Sequence, residues 1–117
     1  MYCYESVGEI LRLQGDLAGA LDAFATSVRI GLRRSELSWE TFEGIAAVWV
    51  TLGHHEDAAR LAGAAERIRE QSGGLLRVRP RPPAPERIEP SWSEGRAMSP
   101  EEAAEYALSR LEEIATG

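Results

Sequence analysis

The sequence predicts an all-α protein made of antiparallel helix hairpins, a connector rich in proline and arginine, and a final helix. Three observations carry this. Apolar residues recur at three- and four-residue spacing through the first 70 positions; Gly15 and Gly53, 38 residues apart, divide that stretch into two similar units; and Ser99-Pro100-Glu101-Glu102 has the form of a helix start. No segment alternates well enough to be a strand, although residues 75–79 are candidates for extended backbone.

The first expected helix carries Tyr4, Val7, Leu11 and Leu13 on or near one face, and Gly15 can end it in the left-handed conformation that glycine tolerates. Asp16 is a good N-cap for a second helix bearing Leu17, Ala20, Leu21, Phe24, Val28 and Leu32. Ser38 caps a third, with Glu40 at its positive end and Phe42, Ile45, Ala46, Trp49 and Leu52 inside. Gly53 ends that helix as Gly15 ends the first. The fourth carries Ala58, Leu61, Ala62, Ala65 and Ile68 and is expected to stop at Gly73-Gly74. These helices form an expected repeat domain over residues 1–74. An extended connector follows over residues 75–98, because five of the six prolines lie between Pro80 and Pro90 and fix φ while removing amide donors. The last element, residues 99–117, opens with a serine cap, a proline at the first helical position and a capping-box glutamate. Its apolar stripe is Ala103, Ala104, Ala107, Leu108, Leu111 and Ile114.

The two glycine-centred units match position by position. Tyr4, Val7, Gly8 and Leu11 precede Gly15, and Ala20 and Phe24 follow it; Phe42, Ile45, Ala46 and Trp49 precede Gly53, and Ala58 and Ala62 follow it. This pattern resembles the tetratricopeptide (TPR) repeat. Small residues let the helices of a hairpin approach closely, and large ones fill the space between repeats. A period of 38 exceeds the usual one of about 34, implying a longer second helix or linking loop. A plain four-helix bundle is the alternative architecture.

Composition excludes several classes. No apolar run is long enough to cross a bilayer, and no basic stretch followed by an apolar one marks a signal peptide, so a cytoplasmic location and no membrane partner are expected. One cysteine, Cys3, permits no disulfide framework. With 13 basic and 19 acidic residues the net charge is −6, which argues against direct nucleic-acid binding. All the basic residues are arginine, and lysine and asparagine are absent, as a GC-rich bacterial genome would encode. Residues 73–98 hold five arginines and three acids, so a basic connector joins an acidic body to an acidic tail.

Two segments carry a further resemblance. Residues 58–70, Ala58-Ala59-Arg60-Leu61-Ala62-Gly63-Ala64-Ala65-Glu66-Arg67-Ile68-Arg69-Glu70, are followed by Trp92-Ser93-Glu94-Gly95-Arg96-Ala97-Met98-Ser99 and by Tyr106-Ala107-Leu108. In this order they resemble the C-terminal helical-repeat region of large actinobacterial-type regulators: LuxR/MalT-like and SARP-type transcriptional regulators and related predicted ATPases of the STAND type. Relatives place another helix where this chain has its Arg/Pro stretch. The chain also begins inside the repeat array, with neither the ATPase module nor the DNA-binding helix-turn-helix. The resemblance therefore implies a truncated C-terminal scaffold or sensor region and transfers no ATP or DNA function to any residue here.

No catalytic, cofactor or metal site is expected. His54-His55-Glu56-Asp57 lie on a turn where neighbours point apart, and the acids suit the positive end of the following helix. Cys3 lacks a partnered histidine, and Gly73-Gly74 is followed by no lysine and no serine or threonine to complete a phosphate loop. The expected function is a non-enzymatic protein-interaction scaffold; the alternative is a small-molecule (inducer) sensor. Its candidate contact residues are Tyr4, Val7 and Leu11 on the first helix, Trp39 and Trp92 as part-exposed aromatics, and Arg77, Arg79 and Arg81 as a basic arm. Two repeats are fewer than the three normally needed for a stable array, so the first-helix face is expected to self-associate or bind a protein partner. The partner surface is expected to be concave and built from the first helix of each hairpin. A pocket with inward polar groups would favour the sensor; a filled, alanine-rich groove would favour the scaffold.

Overall fold

The computed structural model describes residues 4–71 and 85–116, and these contain six helices: α1 (Tyr4–Leu13), α2 (Leu17–Arg34), α3 (Trp39–Thr51), α4 (His55–Gln71), α5 (Ser91–Arg96) and α6 (Pro100–Thr116). The protein is all-α. The punctuation follows local chemistry. Gly15 and Gly53 sit at φ +86° and +89°, a region costly for any residue with a Cβ, and each reverses the chain within a hairpin. Asp16 accepts the Gly19 amide at 2.9 Å, and Ser38 accepts that of Glu40 at 3.2 Å. At the start of α6 the Ser99 hydroxyl accepts the Glu102 amide at 3.1 Å while the Glu102 carboxylate accepts the Ser99 amide at 2.9 Å, closing the capping box in both directions.

The four helices pack as two hairpins, α1 on α2 and α3 on α4, with α3 also meeting α1 and α2. Phe24 is 1% exposed, and its ring is held between two glycines: a Cβ added at Gly8 or Gly44 would lie 2.6 or 2.7 Å from its Cε1. Gly8 is the small position of the first unit, whereas in the second helix pair the ring meets Gly44, two residues before the matching small position Ala46. Phe42, Ile45, Val48, Trp49 and Leu61 complete the fully buried centre. The expected inner faces of α2 and α4 are inside, apart from the half-buried Leu17, Leu21 and Leu32 on α2.

Several expectations are corrected. The extended connector does not run to residue 98: residues 91–96 form α5, packed against α4 with Ser91 and Gly95 buried. Backbone meets backbone there. A Cβ at Gly95 would lie 2.7 Å from the Arg60 carbonyl carbon and closer still to its oxygen, and one at Gly63 would overlap the Trp92 carbonyl. The proline-rich stretch 80–84 and residues 75–79 lie outside the described residues, as do Cys3 and Gly73-Gly74. Leu13 and Leu52, expected inside, are 71% and 43% exposed at the ends of their helices. Helix α3 presents no concave face, since nine of its thirteen residues are buried. Helix α6 packs on both α2 and α4, with Ala103, Ala104 and Ala107 at 0% exposure.

Candidate functional site

Two features combine elements distant in sequence. The first is a polar cluster where α4, α5 and α6 meet. Asp57, in the first turn of α4, accepts from the Tyr106 hydroxyl and from Arg110 at 2.8 Å. One turn along α4, Arg60 donates to the Tyr106 oxygen at 2.8 Å, to Glu94 at 2.9 Å and to the Ser91 hydroxyl at 3.3 Å. Its guanidinium also lies 5.4 Å from the centre of the Tyr106 ring, whose other neighbour is Trp49, edge-on at 6.3 Å. Burial disfavours ionised Asp57, but the hydrogen bonds from Arg110 and Tyr106 and the charges of Arg110 and Arg60 outweigh it and hold its carboxyl below the ordinary range. Burial, reinforced by the bond to Asp57, pushes the Tyr106 phenol up to about 12. A phenol that keeps its proton so firmly is no base or nucleophile at neutral pH. The cluster joins three helices, and each charged member is held by another.

The second feature is a groove of about 440 Å³ between α2 and the C-terminal half of α6, with Leu52 also in its lining. Leu17, Leu21 and Ala25 line one side and Leu108, Leu111 and Ile114 the other; Asp22, Arg29 and Glu112 stand along its edges. It is neither an alanine-filled seam nor a pocket with inward polar groups. Its walls are apolar and its charges lie at the rim.

The residues singled out from sequence do not come together. Tyr4 is 49% exposed, while Val7 and Leu11 are half-buried, with Leu11 packed on the core. The surface toward Phe24 is instead Gly8, beside a part-buried Glu9–Arg12 ion pair of 2.6 Å, and the outward apolar residues of α1 include Ile10 and Leu13. Trp39, expected to be part-exposed, is buried at 7%. Trp92 is half-buried, its ring 4.5 Å from the Arg87 guanidinium. Arg77, Arg79 and Arg81 lie outside the described residues. His54 and His55 border an open recess with Glu56, Asp57 and Ile88, and the Asp57 carboxylate there is engaged by Tyr106 and Arg110.

Sequence reading missed the roles of Arg60, Glu94, Gly95 and Tyr106, although all four lie in the two segments that resemble the regulators. The structure packs residues 58–70 and 91–96 against each other through Gly63, Gly95 and Arg60. No family model matches the chain, and neither a curated protein nor a solved structure matches it. Among the described residues, no helix is long and apolar enough to cross a membrane.

Proposed function

We propose that this chain is a non-enzymatic helical-repeat module that binds a protein partner through the groove between α2 and α6. The observation that carries this reading is the groove itself. Its apolar walls, from Leu17 to Ala25 and from Leu108 to Ile114, suit the apolar side of a helix or peptide. Its volume of about 440 Å³ also falls in the range of small-ligand sites. Such sites fix their ligands with convergent polar groups, however, whereas the hydrogen-bonding side chains that converge in this fold do so at Asp57 and Arg60 and hold one another. This favours the protein-binding reading over the inducer sensor. A cytoplasmic regulator as the setting rests on the resemblance of residues 58–70 and 92–108 alone.

The test is a nuclear magnetic resonance titration with a synthetic leucine-striped helical peptide whose flanks are glutamine. Saturable shifts at Leu21, Ala25, Leu108 and Leu111 are expected. Leu52→Glu should abolish them, since it places a charge in the groove from a position 43% exposed and outside the core. An absence of shifts, or shifts that Leu52→Glu leaves intact, would overturn the reading.

A further inference from the structure

The arginines of the described residues divide into two groups. Arg12, Arg60, Arg69, Arg96 and Arg110 pair with carboxylates, Arg67 donates to the Arg96 carbonyl at 2.7 Å, and Arg87 covers Trp92. Arg29, Arg33 and Arg34 are exposed and make no ion pair with a described carboxylate, although the chain carries 19 acids. All three lie on α2. Helical spacing puts Ala18, Asp22, Ala25, Arg29 and Arg33 on one stripe. The first four line the groove, so Arg33 continues its wall by one turn. Along α2 the wall runs from an acid at Asp22 to two cations that make no ion pair with a described carboxylate, with the apolar floor beside it and Glu112 on the α6 side.

We infer that the partner segment is an amphipathic helix whose apolar stripe enters the groove and whose flank carries acidic residues one turn apart, placed to meet Arg29 and Arg33. The inference rests on the reading proposed above and names the partner of that same site. Ala18 to Arg29 spans about 16 Å at 1.5 Å per residue, room for roughly three turns of a docked helix. Carboxylates four residues apart on the docked helix repeat at the spacing of Arg29 and Arg33. Asp22, two turns back, meets a basic residue of the partner better than an acidic one. The small-residue seam of α6 is already filled by the body, so the apolar contribution comes from Leu21, Leu108, Leu111 and Ile114.

Three leucine-striped peptides of equal length discriminate the outcomes: glutamates at i and i+4 on the flank, glutamines there, or lysines there. Wild-type protein is expected to bind the glutamate peptide about tenfold more tightly than the lysine peptide, the effect of two part-exposed charge contacts, with the difference shrinking in high salt. Arg29→Glu/Arg33→Glu, both at exposed positions, should reverse the order. Equal affinities for all three peptides at the groove would refute the acidic partner and leave the protein-binding reading standing. Failure of every peptide to shift groove residues would refute both. Dodecanoate shifting the same residues and displacing the peptide would overturn the inference in favour of a small amphiphilic anion. Self-association that blocks the groove before any peptide is added would overturn it in favour of a second copy.

Discussion

Replacing Gly95 with alanine tests the architecture where it is least tolerant. The new Cβ would lie 2.7 Å from the Arg60 carbonyl carbon and 3.1 Å from the Ala64 amide nitrogen, whereas ordinary contacts fall at 3.4–4 Å. These are backbone atoms inside α4, so no rotamer change relieves the overlap and α5 has to move off. That movement stretches the Arg60 bonds to Glu94 and Ser91, now 2.9 and 3.3 Å. Overpacking typically costs about 1–3 kcal/mol, and a rigid backbone contact belongs at the upper end. Alanine gains about 1 kcal/mol over glycine in a helix. The net expectation is a loss of about 2 kcal/mol, read by thermal or urea unfolding as a melting temperature lower by roughly 8 °C for a domain of this size. Trp92 fluorescence should shift to the red as its surroundings open. Ser93→Ala, at an exposed neighbouring position, should change stability by no more than about 0.5 kcal/mol. If Gly95→Ala instead matches or exceeds the wild type, helix propensity alone governs the site and the close approach of α4 and α5 is wrong.

The remaining predictions concern the first helix and the polar cluster. Leu11→Glu should destabilise by about 2 kcal/mol or more because Leu11 packs on the core, while Leu13→Glu, at a position 71% exposed, should be nearly neutral; equal effects in denaturant titrations would refute the placement of α1. Asp57 has a folded-state pKa below the ordinary 3.8, so its contribution to stability is complete above that value and is lost as pH falls through and below it. Asp57→Asn should therefore flatten the acid limb of the stability–pH curve, and an unchanged limb would count against the cluster. Tyr106 is raised from 10.0 to about 12, so the folded state holds the proton longer; stability should decline as pH rises between those values, and Tyr106→Phe should remove that slope.

Local chemistry was legible because its causes are local. Gly15, Gly53, Asp16, Ser38 and Ser99 each act on residues within a few positions, and each holds the expected place. The core stripe was legible for the same reason, since Phe24, Phe42, Ile45 and Leu61 repeat at helical spacing. Helix α5 was not. Six residues are too short to show a period, Pro90 precedes them and Gly95 lies among them; the helix persists because Gly63 and Gly95 let it lie against α4. Trp39 shows the same limit, for a place at a helix start does not reveal which side tertiary packing covers. The groove could not be read from sequence because its two walls come from helices, α2 and α6, that are separated in the chain by α3, α4 and α5.

Two hairpins leave repeat surfaces that a longer array would cover with the next repeat. Here α5 and α6 take that place, on α4 and across α2 and α4. The sequence of α6 then determines where a groove remains. Its first turns carry Ala103, Ala104 and Ala107, all at 0% exposure, small residues of the kind that allow helices to approach closely. Its later turns carry Leu108, Leu111 and Ile114, which line the groove opposite Leu17 and Leu21, with Leu111 also in the core. Along this stripe the small residues are wholly buried and the large ones line the groove. Changing Ala107 to leucine would crowd a fully buried contact and loosen the clip at Tyr106, whereas changing Leu108 to alanine would remove part of the groove wall. Leu111 belongs to both sets, buried in the core and lining the groove, so the same residue secures the tail and shapes the groove.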